Sequence, residues 1–239
     1  MHYHLNEHIY VTFFREEAIL LDTKKDKYSI FSKPLSLLLN QAIETDTYCI
    51  DKSLPHQSTY LQKLTDDNIL THKKFPYPFY IDKKTYSDGV SNVDWSLPLE
   101  SKKVPLSLQV AEALMTLIKV NFYIKLRGFH QTIQLIKKSC KNELNYNVPP
   151  DANLEDLANI VNKACLIYPT RTKCLEWAIT YVLLALKRKW KCNLEIGVQN
   201  YPFFAHAWVE CEEKVITDSQ DLREGLAIIL NEPFRRTKK

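Results

Sequence analysis

Glycine is scarce, with four residues in a chain of 239. None stands in a Walker A or G-x-G-x-x-G pattern, so no loop is built to cradle phosphates and an ATP site is not expected. Paired cysteines are missing as well. Cys49, Cys140, Cys165, Cys174, Cys192 and Cys211 are scattered without a C-x-x-C, and no H-E-x-x-H occurs, so a zinc site is not expected. The opening MHYHLNEHIY lacks an apolar signal core, and no apolar run is long enough to span a bilayer. These absences point to a reduced cytoplasmic protein with free thiols, no cofactor and no membrane insertion. A strong charge of one sign is also lacking: the formal net charge is +4. Part of it falls in Arg235-Arg236-Thr237-Lys238-Lys239, which reads as a solvated terminus and not as a nucleic-acid patch. His2 and His4 read as loose terminal residues.

What is present is concentrated between Cys174 and Asp218. After Cys174, the apolar residues Leu175, Ala178, Ile179, Val182, Leu183 and Leu186 follow the 3.6-residue period of a helix. Thr170 or Thr172 is placed to cap its start, and Lys187, Arg188 and Lys189 suit its C-terminal dipole. Leu194, Ile196 and Val198 then alternate with polar or small residues as a strand does. His206 lies in a second strand, and Asp218 closes the next apolar run. A thiol is a weak nucleophile while protonated. A helix N-terminus favours the thiolate, an imidazole takes its proton, and a carboxylate fixes the imidazole. Cys174, His206 and Asp218 supply those three roles in the order found in papain-like and transglutaminase-like enzymes.

The pairing of His206 with Asp218 depends on register. A two-residue turn at Glu212-Glu213 would set Asp218 opposite Ala207, on the wrong face, because side chains alternate along a strand. A three-residue connection at Cys211–Glu213, or a bulge, would set it opposite His206. The latter is expected; a regular two-residue turn would favour Glu210 in the third role.

The N-terminal segment, residues 1–74, begins with three short strand-like runs, Tyr10–Phe14, Ala18–Asp22 and Lys27–Phe31, joined as a meander. A helix from about Pro34 carries Leu35, Leu38, Leu39 and Ala42 on one side, and a second around Ser58–Leu64 is expected to bury Tyr60, Leu61 and Leu64. Strands followed by short helices resemble a small winged-helix unit. Such units bind DNA or peptides. By direct count residues 1–74 hold nine Lys/Arg and ten Asp/Glu, and a phosphate backbone needs clustered positive charge. Peptide binding is favoured over DNA, and its mode would be addition of an extended strand to an exposed edge; an ordinary edge strand guarded by Lys27 fits the same residues equally well. The candidate edge is Lys27, Tyr28, Ser29, Ile30 and Phe31.

Residues 75–105 mix aromatics, Pro and charges without periodicity and read as a linker packed on a domain surface. A helix over Leu106–Leu126, an interruption at Gly128, a helix over Gln131–Cys140, a loop over Asn142–Asp151 and a helix over Asn153–Ile167, capped by Asp151 or Asn153, lead to Cys174. Cys140, Cys165 and Cys211 are expected as buried small residues. The fold class is α+β: a winged-helix-like unit of three strands and helices, then a cysteine-peptidase domain of helices and a small antiparallel sheet over 106–239. An oxyanion hole would use the Cys174 N–H and one further donor, with Arg171, Thr172 and Gln199 as options.

A family resemblance rests on Cys174-Leu175, Ile196-Gly197-Val198, Pro202-Phe203, His206-Ala207-Trp208-Val209-Glu210 and Asp218. In this order and spacing they resemble the B proteins of lasso-peptide biosynthesis, bacterial transglutaminase-like leader peptidases. The resemblance implies Cys174 as nucleophile, His206 as general base and acid, and Asp218 as orienting carboxylate. It implies a precursor-peptide recognition element over residues 1–74, whose removal is expected to weaken mainly affinity. It also implies a lasso precursor as substrate, an asparagine-synthetase-like cyclase that consumes ATP as partner, and a possible link to an export transporter. Two other readings keep the same residues: transglutaminase-type acyl transfer to an amine, and a non-catalytic precursor chaperone.

Overall fold

The run Ile9–Phe14 has a single polar residue, Thr12, and such continuous apolar character suits a strand covered on both faces. In the computed structural model, which describes residues 1–45, 55–91, 105–141 and 145–238, this run is strand β2 (Ile9–Phe14), buried throughout. It pairs antiparallel with β3 (Glu17–Asp22), which pairs in turn with β4 (Lys27–Ile30). The expected meander is present. Two features were not expected from the pattern. A strand before it, β1 (His2–Leu5), pairs with β5 (Leu70–Lys73), and β6 (Lys83–Lys84) lies parallel to β2, giving the order β4-β3-β2-β6. His4 is therefore not loose: it is buried, and its Nε2 meets the Phe75 carbonyl at 2.7 Å.

The faces of this sheet go to different cores. Val11, Phe13, Ala18 and Leu20 pack with helices α1 (Lys33–Glu44) and α2 (Pro55–Asp66), including Leu38, Leu39, Leu61 and Leu64. Tyr60 is 51% exposed, contrary to expectation; it stands at the edge of the α2 face that Leu61 and Leu64 bury, about 100° from Leu61 and about 40° from Leu64 around the helix. Tyr10, Phe14, Ile19 and Leu21 face the opposite way and join the core of the C-terminal half. The alternation along each strand thus serves two interiors.

That second core is built on three helices. Helix α3 (Leu108–Ser139) is broken at Gly128, which takes φ 78° and ψ 171°, as its sequence position foretells. Helix α4 (Asp151–Ile167) starts at Asp151 with Pro150 before it, so neither Asp151 nor Asn153 caps it. Helix α5 (Cys174–Lys187) packs against α3, α4 and a four-stranded antiparallel sheet of order β10-β7-β8-β9. Its strands are β7 (Asn193–Gln199), β8 (Phe204–Cys211), β9 (Lys214–Ile216) and β10 (Ala227–Glu232), with a short helix α6 (Asp221–Gly225) before the last. This is the expected α+β layout. Part of the expected loop before α4, residues 142–144, and Cys49 lie outside the described residues. Cys165 and Cys211 are buried as expected, whereas Cys140 is half-buried at the C-terminal end of α3.

Arg235 and Arg236 of the C-terminal tail are not simply solvated, although Thr237 and Lys238 are exposed and Lys239 lies outside the described residues. Arg236 bridges Glu195 at 3.3 Å and Glu210 at 3.0 Å, both buried. The Arg235 guanidinium lies 3.7 Å from the Phe79 ring centroid. Thr237 forms a bridge to Phe79, and the Lys238 N–H donates to the Pro78 carbonyl. The buried Glu210 carboxylate demands cations, and it is met by Arg236 of the tail as well as by Arg223. Among the described residues, no helix is long and apolar enough to cross a membrane.

Candidate active site

Helix α5 begins at Cys174, so the sulfur stands beside the unpaired N–H groups of a first turn. The start is fixed differently from the sequence expectation. Lys173 takes the cap position, and the Glu176 carboxylate accepts the Lys173 N–H. Neither Thr170 nor Thr172 caps; Thr172 is buried in the preceding loop. A carboxylate in the first turn suits the dipole there. The helix register then buries Trp177, Ala178, Tyr181 and Val182.

Burial pushes the Cys174 thiol up, but the His206 ring and the N–H groups of Ala207 and Leu175 favour its anion more strongly, and the net shift is down. His206 is buried on β8. Burial alone would depress its pKa; hydrogen bonds to Asp218 and to Cys174 override this and raise it to about 9. Its Nε2 meets Asp218 Oδ2 at 2.7 Å, which leaves Nδ1 for the thiol. A lowered thiol beside a raised imidazole favours the proton on His206 and the anion on Cys174.

The structure brings together the three residues that the sequence singles out, by a route the register expectation missed. The β8–β9 turn is a regular two-residue turn: Cys211 pairs with Lys214, and Glu212 and Glu213 both have positive φ. Continued, that ladder would set Asp218 opposite Ala207. The ladder stops at Ile216, however, and Thr217 adopts φ 58°, a left-handed conformation that breaks the alternation. Asp218 thereby turns to His206. The edge of β8 beside Ala207 is left without a strand partner, and there the Ala207 N–H serves Cys174 instead. Glu210, the substitute for Asp218, is committed elsewhere: it accepts the Trp208 Nε1–H at 2.9 Å and pairs with Arg223 and Arg236.

A stacked row on β8 supports the imidazole. The rings of Phe204 and Trp208 flank His206 with centroids 6.3 and 6.1 Å away. Gly197 lies across the ladder from His206, and a Cβ there would fall 2.4 Å from the Trp208 ring. Glycine is needed for Trp208 to lie flat. The alternation of β7 and β8 held this signal, since both residues fall on one face. Behind the row, burial and then the neighbouring Glu210 raise Glu195 to about 8. Of the options for a second oxyanion donor, Gln199 is spent on Val90, accepting its N–H at 2.7 Å and donating to its carbonyl at 3.1 Å. Arg171 is exposed. The backbone N–H groups that favour the Cys174 anion are those of Ala207 and Leu175.

The candidate leader-binding residues fall on β4, at one end of the N-terminal sheet, with Phe31 just beyond it. Among the described residues, no group of three or more His, Cys, Asp or Glu side chains is placed to hold a metal ion.

Comparison with known proteins agrees with this architecture. Residues 116–231 match the transglutaminase-like superfamily. The chain is 27% identical over 237 residues to the microcin J25-processing protein McjB of Escherichia coli, a match covering 92% of this chain and 96% of that protein. No solved structure matches. The α+β layout and the two comparisons agree: the chain carries a transglutaminase-like domain in its C-terminal half and is similar along nearly its whole length to a microcin-processing protein.

Proposed function

We propose that this protein is a cysteine peptidase that removes the leader from a lasso-peptide precursor. The observation that carries the reading is the meeting of Cys174, His206 and Asp218 at the start of α5, with the thiol depressed and the imidazole raised. The Cys174 thiolate attacks the carbonyl at the leader–core junction. Negative charge on the tetrahedral oxygen is met by backbone N–H groups at the helix start. His206 gives its proton to the core amine as the C–N bond breaks, leaving the leader as a thioester on Cys174. His206 then takes a proton from water as it attacks the thioester, the thiolate leaves, and the leader departs with a free carboxylate. Asp218 holds the imidazole in the tautomer and orientation both steps need.

In this reading residues 1–74 form the recognition unit, 75–105 connect it, and 106–239 form the peptidase domain. The leader pairs with the β4 edge through Lys27–Phe31. The freed core passes to an ATP-consuming cyclase, a division of labour that fits the lack of a phosphate loop here. The test is to incubate the full-length protein with synthetic precursor, with and without cyclase and ATP, and to follow product masses. Cleavage at one bond, a leader carrying a free carboxylate, and loss of both in Cys174→Ala support the reading. A leader mass raised by an added amine makes the protein an acyl transferase of the transglutaminase type. Intact precursor that remains tightly bound makes it a chaperone.

A further inference from the structure

The cavity beside Cys174 is not made by the C-terminal half alone. It encloses about 210 Å³, below the range of small-molecule pockets and enough for one or two amino-acid side chains. Cys174 and His206 line it together with Leu175 and Ala205, and so do Phe129, just after the break in α3, and Tyr28 of β4. Asp26, at the β3–β4 turn, reaches the same cavity.

Tyr28 gets there through the register of the N-terminal sheet. It pairs with Leu21 on the face that looks into the C-terminal core, while Ser29 looks the other way. Its ring meets Phe203, on the loop between β7 and β8, with centroids 5.2 Å apart. That loop is clasped from the same sheet: the Asn200 amide donates to the Glu17 carboxylate, and the Tyr201 hydroxyl lies 3.5 Å from it. Tyr28 is half-buried; desolvation first, then the nearby Asp26 and Cys174, push its phenol up to about 12 and keep it neutral. One strand therefore offers its backbone at the sheet edge and a side chain at the catalytic cavity.

We propose that Tyr28 is a specificity-determining residue of the peptidase: with Phe129 it forms the wall against which the substrate residues just before the scissile bond are packed. The inference rests on the peptidase reading above. Those residues belong to the leader, the acyl half of the substrate, and a leader laid along β4 brings its C-terminal end past Tyr28 to Cys174. The cavity takes an uncharged side chain of modest size, because its walls are apolar and Asp26 would repel an acid.

The test uses full-length protein and a set of precursors carrying Gly, Ala, Val or Phe at each of the two positions before the cut. The wild type is compared with Tyr28→Leu and Tyr28→Phe by kcat/KM. Tyr28→Phe should keep the wild-type order, since the ring makes the wall. Tyr28→Leu opens the wall and should shift the order towards larger residues, by roughly tenfold between Ala and Phe, the scale of a change in pocket packing. A Tyr28→Leu variant that slows all precursors equally assigns Tyr28 to leader pairing only and overturns the proposal; so does one equal to wild type throughout. Alkylation of Cys174 by iodoacetamide, unchanged in both variants, shows that the thiolate pair is intact. Failure of the wild type to release leader from any precursor instead brings down the peptidase reading itself.

Discussion

The Cys174 thiol is lowered and the His206 imidazole raised by their contact, and this sets the expected pH behaviour of the site. His206 in the folded chain titrates at about 9, above the ordinary 6.5, while Cys174 titrates below the ordinary 9.0. Alone, the raised His206 would lend stability that is complete below about pH 6.5 and lost as pH rises through 9. The depressed Cys174 acts with the opposite sign, present at high pH and lost as pH falls through its folded value. Because one proton is exchanged between them, the two largely cancel in stability, and the pair shows itself in reactivity. Iodoacetamide should alkylate Cys174 well below the pH that an ordinary thiol needs. The kcat/KM for cleavage should fall as pH rises past about 9, where the acid for the leaving amine is lost. In Asp218→Asn that alkaline limb should move to lower pH, and kcat should drop by roughly a hundredfold or more. An unmoved limb would mean that Asp218 does not set the imidazole. Thr217 makes a second residue-scale test. A β-branched residue at φ 58° costs roughly 1 kcal/mol, and Asn tolerates that conformation better. Thr217→Asn should raise the urea midpoint and leave kcat unchanged.

At the scale of elements, the sequence was most readable where one period ran undisturbed. Helix α5 declares itself by its apolar spacing, and β7 and β8 by alternation, so Cys174 and His206 could be placed before any coordinates. Asp218 could be named but not positioned. Alternation predicts faces only while a strand continues, and nothing in Val215-Ile216-Thr217-Asp218 announces that the ladder ends at Ile216. Short elements were lost for a related reason: β1 and β5 are four residues each, too short for a period, and are held by partners far along the chain. The arginines of the tail looked solvated because their carboxylates, Glu195 and Glu210, sit on strands made earlier. The close fit of Gly197 under Trp208 gives a prediction at this scale. Gly197→Ala would bring a Cβ within 2.8 Å of the Leu226 Cβ as well as against Trp208, a crowding that costs about 1–3 kcal/mol. A lower melting temperature together with reduced kcat is expected. Full activity with an unchanged melt would separate Trp208 from the site.

For the whole molecule, the decisive feature is the N-terminal sheet with its two interiors. A self-standing recognition unit would let residues 1–74 be removed mainly at a cost in affinity, which is what the family resemblance implied. The structure leads elsewhere. Tyr10, Phe14, Ile19 and Leu21 are buried in the same core as α3, α4 and α5. Burying side chains of this size contributes about 1.5–3 kcal/mol each, and four of them approach the roughly 5–15 kcal/mol that holds a typical domain together. Residues 106–239 expressed alone should therefore show no cooperative thermal transition and should aggregate, as calorimetry and sedimentation would reveal. A sharp transition in the isolated piece would mean that the shared core is dispensable.

The contact between β10 and β2 has one more consequence. The Tyr10 hydroxyl donates to Glu232 at 2.8 Å, and the Ile228 N–H to Asp82 at the same distance. The first long strand is thus sealed by the last one. During translation the N-terminal sheet leaves the ribosome long before its cover exists, and at bacterial elongation speeds of about 5–20 residues per second it waits some ten seconds or more for the remaining chain. Throughout that interval Tyr28 has no Cys174 beside it. In the proposed reading the site is complete only once β10 has closed on β2, so a chain stopped before β10 is expected to leave the precursor uncut.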